Sequence, residues 1–262
     1  MRSKTEIADR LKGAGIENYM FEAKIIAEYA GARDTEDMIQ RRCRREPLQY
    51  ILGEWEFYGD VYKLTEDCFI PRPETEFLTE YIIKNAPENG TVLDLCSGSG
   101  CVSLSAIRRR KDLTAVLIDI SKGAVEISRK NAEHSGVADR AAFYRLDIIK
   151  EYEKILDAAV RADMIVSNPP YLTKAEVVRI KTEKTELAYE PEAAFFGGCD
   201  GLDFYRFIIT NYSAAFGDNT ATVFECGINQ SGALVNMFEN IGYSCEIIRD
   251  YAKIERVVIG RN

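Results

Sequence analysis

The segment Thr91-Val-Leu-Asp-Leu-Cys-Ser-Gly-Ser-Gly-Cys-Val constrains this chain more than any other. A short apolar strand runs into a turn holding Gly98 and Gly100, and a helical pattern follows to about Arg110. Glycine has no Cβ, so the backbone can turn tightly there and approach a ligand. The same rhythm then repeats. Strand patterns fall at 115–118, 142–146, Met164–Ser167, Ala221–Glu225, 245–248 and 256–259, with helical patterns at 121–135, 203–213 and 230–241 among them. Such alternation predicts an α/β fold with a mostly parallel seven-stranded sheet covered on both faces. Its antiparallel end is expected from the last two strands.

Residues 1–53 read differently. They lack strand signals and pattern as short helices, forming a separate N-terminal domain. Ser3-Lys4-Thr5-Glu6 has the form of a capping box, with Ile7 and Leu11 on one face. Phe21, Ile25, Ile26 and Tyr29 make the stripe of a packed helix, and 37–52 holds two more short helices ended by Gly53. Residues 54–69 then alternate around Gly59-Asp60, which predicts a β-hairpin linker to a third region, 70–262.

Composition narrows the chemistry. The net charge of −8 argues against holding nucleic acid mainly through phosphate charge, so no stable nucleic-acid binding is expected. No apolar run approaches the roughly 18 residues of a spanning helix, and the start lacks a signal-peptide core. Neither a membrane nor a metal is expected. Cys43, Cys68, Cys96, Cys101, Cys199, Cys226 and Cys245 form no CxxC pair and no zinc spacing with the single His134. These scattered thiols read as reduced, in a cytoplasmic protein. His134 falls at an expected helix C-terminus, a surface position.

Beside the glycine turn, three successive strand tips end in acid: Asp94, Asp119 and Asp147. Each alone reads equally well as a cap for the helix that follows. Together they suit an adenosine cofactor, with Asp119 on the ribose hydroxyls, Asp147 near the adenine amine and Ile148 on its ring. A dinucleotide fits less well, because Ser103 stands where GxGxxG needs its third glycine.

Asn168-Pro169-Pro170-Tyr171 follows the strand Met164–Ser167, at the carboxyl edge where ligands bind in open α/β folds. The two prolines lack N–H groups and hold the residue before each extended. The motif therefore offers acceptors with two donors deleted, and Asn168 adds a side-chain oxygen. That suits a planar NH₂ group, with Tyr171 against the attached π system. With a sulfonium methyl donor on the glycine loop, the reaction is in-line methyl transfer to an amide or exocyclic-amine nitrogen.

With these residues in view, the chain resembles the protein-(glutamine-N5) methyltransferases that modify peptide release factors, the HemK/PrmC family. The resemblance covers nearly the whole length. It rests on Arg45-Glu-Pro-Leu-Gln-Tyr-Ile-Leu-Gly-Glu-Trp-Glu-Phe-Tyr-Gly, Ile70-Pro-Arg-Pro-Glu-Thr-Glu, Asn168-Pro-Pro-Tyr, Tyr189-Glu-Pro, Gly197-Gly-Cys-Asp-Gly-Leu and Phe224-Glu-Cys-Gly. It implies a Rossmann-like class I methyltransferase, expected as a monomer, that uses S-adenosyl-L-methionine and releases S-adenosyl-L-homocysteine. The implied acceptor is the GGQ-loop glutamine of a class I peptide chain release factor, docked by the N-terminal domain. Asn168, Pro169 and Tyr171 would be catalytic. Those three with Pro170, Phe69 and Arg72 would hold the glutamine. Asp94, Cys96, Ser97, Gly98, Ser99, Gly100, Asp119, Ile120, Asp147, Ile148 and Asn168 would line the cofactor site.

Two departures stand out: Cys96 replaces the family's usual glycine, and the helical N-terminal region is short. For Arg72 an ion pair with Glu74 or Glu76 is the alternative expectation. The run Arg41-Arg-Cys-Arg-Arg reads either as a surface for an acidic partner or as a solvated helix face. Four rivals share parts of the pattern. They are methylation of an exocyclic base amine of DNA or RNA with the base flipped against Tyr171, methylation of a ribosomal-protein glutamine, a non-catalytic adenosine-binding protein, and a dehydrogenase.

Overall fold

The structure, a computed structural model, describes residues 3–29, 31, 34–183, 185–213 and 220–262. It begins with four helices, α1 (Lys4–Gly13), α2 (Tyr19–Glu28), α3 (Thr35–Cys43) and α4 (Leu48–Leu52). Their ends follow from side-chain chemistry. The Ser3 hydroxyl accepts from Glu6 N at 3.2 Å, the Asp34 carboxylate caps α3, and Gly53 ends α4 at a φ of 66°. Ile7, Leu11, Ile26, Met38, Ile39 and Ile51 make the core of this part. The stripe expected on α2 is corrected at one position: Phe21 is 59% exposed, and Ala23 with Ile26 forms the buried face.

The arginine run is corrected as well. Arg42 is 4% exposed and pairs with Glu22 at 2.5 Å and with Glu186 of the C-terminal part at 3.0 Å. Arg41 pairs with Glu46, while Arg45 reaches Glu186 and Gly15 O. Three of the four guanidinium groups are therefore engaged within the chain. A run read as a solvated face instead clamps α3 to distant elements.

Strands β1 (Glu54–Phe57) and β2 (Asp60–Lys63) form the expected hairpin. Tyr58 and Gly59 both have positive φ, 51° and 75°, the two-residue turn that matches strand twist. Tyr62 is buried against Ser105, and Asp60 pairs with Arg108 and Arg109, so the hairpin is anchored on the C-terminal part. Trp55, directly opposite Tyr62 across the hairpin, packs against the N-terminal core.

The remaining elements are α5 (Glu76–Asn85), β3 (Thr91–Leu95), α6 (Cys101–Arg109), β4 (Thr114–Asp119), α7 (Lys122–Ser135), β5 (Ala141–Arg145), α8 (Tyr152–Arg161), β6 (Met164–Ser167), α9 (Lys174–Glu183), α10 (Asp203–Asn211), β7 (Ala221–Glu225), α11 (Ser231–Glu239), β8 (Ser244–Arg249) and β9 (Glu255–Arg261). The seven strands run in the order β5-β4-β3-β6-β7-β9-β8, parallel except where β9 runs against β7 and β8. Two apolar cores, one on each face, bury strands such as β3 and β6 completely, so no alternation marks them. The glycine loop after β3 lies beside the end of β6, where strand order departs from sequence order in both directions. That crevice is where open α/β sheets bind ligands.

Candidate active site

A cavity of about 800 Å³ opens at this edge. Cys96, Ser97, Gly98 and Ser99 of the glycine turn line it, whereas Gly100, expected at the cofactor, is packed behind them. Gly100 has a φ of 78°, and a Cβ there would lie 2.4 Å from Ser128 Oγ. At Gly98, with φ 55°, a Cβ would meet nothing within 4 Å. One glycine is required by packing and the other faces open space. Asn131 holds the loop from behind, donating to Ser99 O at 2.9 Å while pairing with both backbone groups of Lys63.

Cys96 occupies the left-handed region at a φ of 61°. Its Cβ bears strain of about 1–2 kcal/mol that glycine would not. That is the physical sense of the family's usual glycine. Burial pushes its thiol well above the ordinary range, so it is no nucleophile at neutral pH.

The acids behave individually. Asp94 is buried, accepts from Ser103 Oγ at 2.7 Å, and is pushed by burial to about 7. Asp119 accepts from Gly98 N and Ser121 N, each at 2.8 Å. Burial still raises it above the usual carboxylate range. Asp147 spends one oxygen on Ile149 N and Lys150 N, as a cap would, and stays half-buried at the cavity. Ile148 is buried beneath the wall and Ile120 is half exposed on it.

Beside the glycine loop, after β6, Asn168, Pro170 and Tyr171 line the same cavity. Pro169 is buried and does not itself line the cavity. The motif is held by close backbone packing. A Cβ on Gly197 would lie 2.4 Å from Pro170 O, and one on Gly201 would lie 2.2 Å from Tyr171 O. Gln230 donates to Tyr171 O at 2.9 Å. The Gly197–Gly201 block thus serves as the surface on which the Asn-Pro-Pro-Tyr backbone rests.

Phe69 and Arg72 form the rim. Arg72 does not pair with Glu74 or Glu76. It pairs with Glu190, whose side chain is 1% exposed, and stacks on Phe69 at 4.6 Å. Glu190 also accepts from Ile70 N at 3.0 Å, and Tyr189 donates to Arg44 O at 2.6 Å. The Tyr-Glu-Pro block therefore ties the rim to the N-terminal helices. A local ion pair was the natural expectation, because sequence proximity carries no information about a partner on a later loop.

Sequence reasoning also missed Thr75 and Glu225 behind Asn168, and the apolar wall of Ile180, Leu187 and Phe195. Thr75 and Glu225 sit inside motifs quoted above, which was the available signal. His134 is exposed near the end of α7, as expected. Among the described residues, no group of His, Cys, Asp and Glu could hold a metal ion, and no helix is long and apolar enough to cross a membrane.

The sheet order, the glycine turn and the acids at its edge define a class I methyltransferase fold. The catalytic domain of hMettl16, solved with a MAT2A 3′UTR hairpin, shares it with a TM-score of 0.61 at 12% identity, over 86% of this chain and 82% of that one. Residues 73–186 match the model of the methyltransferase small domain. The release factor glutamine methyltransferase of Geobacter sulfurreducens is 37% identical over 225 residues, spanning 86% of this chain and 76% of its own. That of Thermodesulfovibrio yellowstonii is 33% identical over 254 residues, spanning 95% and 88%. The chain belongs to the release factor glutamine methyltransferase family.

Proposed function

We propose that the protein moves a methyl group from S-adenosyl-L-methionine to the side-chain amide nitrogen of the GGQ-loop glutamine in a class I peptide chain release factor. The observation that carries this reading is one cavity lined both by the glycine turn and by the Asn-Pro-Pro-Tyr motif. Residues 1–53, 54–69 and 70–262 would serve as docking domain, linker and catalytic domain.

The cavity fits the cofactor. Open space at Gly98, a carboxylate at Asp119 and the apolar Ile148 and Ile120 suit an adenosine with its ribose. When bound, the cofactor supplies an electrophilic methyl on a sulfonium. The protein's own residues do the rest. Asn168 Oδ1 accepts an N–H of the glutamine amide, and the proline run supplies carbonyl acceptors for the second. Tyr171 lies against the amide plane. Two such bonds stop rotation and stabilise the positive charge that builds on nitrogen, after which a proton leaves to water.

The test offers labelled S-adenosyl-L-methionine with three acceptors: a class I release factor, its loop Gln→Ala variant, and duplex DNA. Label in the wild-type factor alone, mapped to the loop glutamine, is the expected result. Label in DNA would transfer the case to base-amine methylation. Asn168→Ala should lower turnover about 10²–10³-fold while cofactor affinity stays within about twofold; retained turnover would remove Asn168 from the chemistry.

A further inference from the structure

Two motifs that the acceptor site leaves unexplained, Pro73-Glu-Thr and Phe224-Glu-Cys, meet behind Asn168. Strands β6 and β7 pair with Ser167 opposite Phe224, so Asn168 and Glu225 are the next residues along at the carboxyl edge. Thr75, 3% exposed, approaches from the turn before α5. Asn168 Nδ2 donates to Thr75 Oγ1 at 3.3 Å, and both side chains lie close enough to the Glu225 carboxylate to favour its ionised form. Glu225 is 1% exposed, and its Oε2 has no hydrogen-bond partner among the described residues.

An ionised carboxylate only accepts, and a hydroxyl has one proton to give. The two ends of an asparagine amide have nearly the same shape, so packing alone does not choose between them. A buried carboxylate on the inner side does choose, because it favours the NH₂ end of Asn168 and opposes the Oδ1 end.

The geometry points to Glu225 as a positioning residue: together with Thr75 it holds the Asn168 NH₂ inward and leaves Oδ1 facing the cavity. This rests on the methyl-acceptor reading above and sharpens it, because the site then selects groups that bring N–H donors. A flipped Asn168 would present its own donors and repel an NH₂ group.

Burial raises Glu225 to about 7, with Thr75, Arg256 and Asn168 favouring the ionised form and Glu74 opposing it. The Tyr171 hydroxyl and the Cys226 thiol also face it, both neutral because burial raises them. A protonated Glu225 can donate, and its preference for the Asn168 NH₂ is then lost. Turnover should therefore fall on the acid side of neutrality.

The experiment uses the full chain with Glu225→Met and Glu225→Gln. Glu225→Met removes the acceptor and should lower kcat about 10–100-fold, the range set by one misdirected polar group at a reacting centre. Its cofactor affinity should stay within about twofold, and its melting temperature should hold or rise because a buried carboxylate lacking a full set of partners is gone. Glu225→Gln keeps an acceptor oxygen, so most of the turnover should return and the acid limb should flatten. Turnover of Glu225→Met near the parent's overturns the inference, as does equal loss in both variants, which would assign the effect to charge. A second readout needs no acceptor protein. The side-chain amide protons of Asn168, identified by their absence in Asn168→Ala, should be well separated in the parent and converge in Glu225→Met. An unchanged pattern overturns the positioning role, whereas a parent that methylates nothing overturns only the acceptor reading.

Discussion

The rim and the sheet edge of one cavity hold buried acids in different ways: burial raises Glu190, Asp94 and Asp119 alike, but of the three only Glu190 has a cation beside it among the described residues. At the rim, Glu190 is neutralised by the Arg72 guanidinium and takes a backbone N–H from Ile70. At the sheet edge, Asp94 and Asp119 have hydroxyl and backbone N–H donors as their hydrogen-bond partners, and burial raises both. A paired acid is part of the framework, and removing one partner strands the other. A desolvated acid without a counter-ion lowers stability in the empty protein and favours a ligand that brings positive charge. The sulfonium and ammonium of the proposed cofactor are charges of that kind.

Breaking the rim should cost most. Glu190→Ala leaves Arg72 and Ile70 N–H uncompensated and should destabilise the fold by about 3–5 kcal/mol, read in urea melts. A small change there would make the rim pair as dispensable as a surface ion pair. At the sheet edge the sign reverses with pH. The Asp94 carboxyl is raised from 3.8 to about 7, so its stabilising contribution is full below the unfolded value and is lost as pH rises through about 7. Asp94→Asn should therefore gain on the parent by about 4 kcal/mol between pH 4 and 8, at about 1.4 kcal/mol per pH unit. A constant gap across that range would contradict the assignment.

Asp119→Ala should weaken cofactor binding by about 1.5–3 kcal/mol, the worth of a charged hydrogen bond, measured by calorimetry. Unchanged affinity would show that the ribose is held elsewhere. The smallest effect belongs to the loop between the two walls. Glycine at position 96 should exceed alanine in stability by about 1 kcal/mol, because only alanine keeps the Cβ that the left-handed backbone opposes. Equal stability would mean that the loop relaxes out of φ 61°.

Much of the fold was legible because its signals are local. The apolar runs of β3, β6 and β7, the glycine turn after β3 and the Tyr58-Gly59 hairpin each declare themselves within a few residues. Helices α5, α8 and α9 were less legible, since each buries only part of its surface and carries many charges outside. Of the site, Asn168, Tyr171, Gly98 and Asp119 were found because backbone chemistry makes their residue types informative. Arg72 was paired with the wrong acids, and Arg42 was read as solvated, because each finds its partner more than a hundred residues away.

The sequence by itself determined the order of elements, the turn that only glycines allow and the donor-poor stretch that prolines impose. Those are properties of single residues and their immediate neighbours. Only the tertiary structure decided which acid is neutralised, which carboxylate lies behind Asn168, and that Cys96 sits in a glycine conformation. Burial and pairing are set by what distant segments bring together, and the energy of a charge depends on that surrounding more than on the residue that carries it.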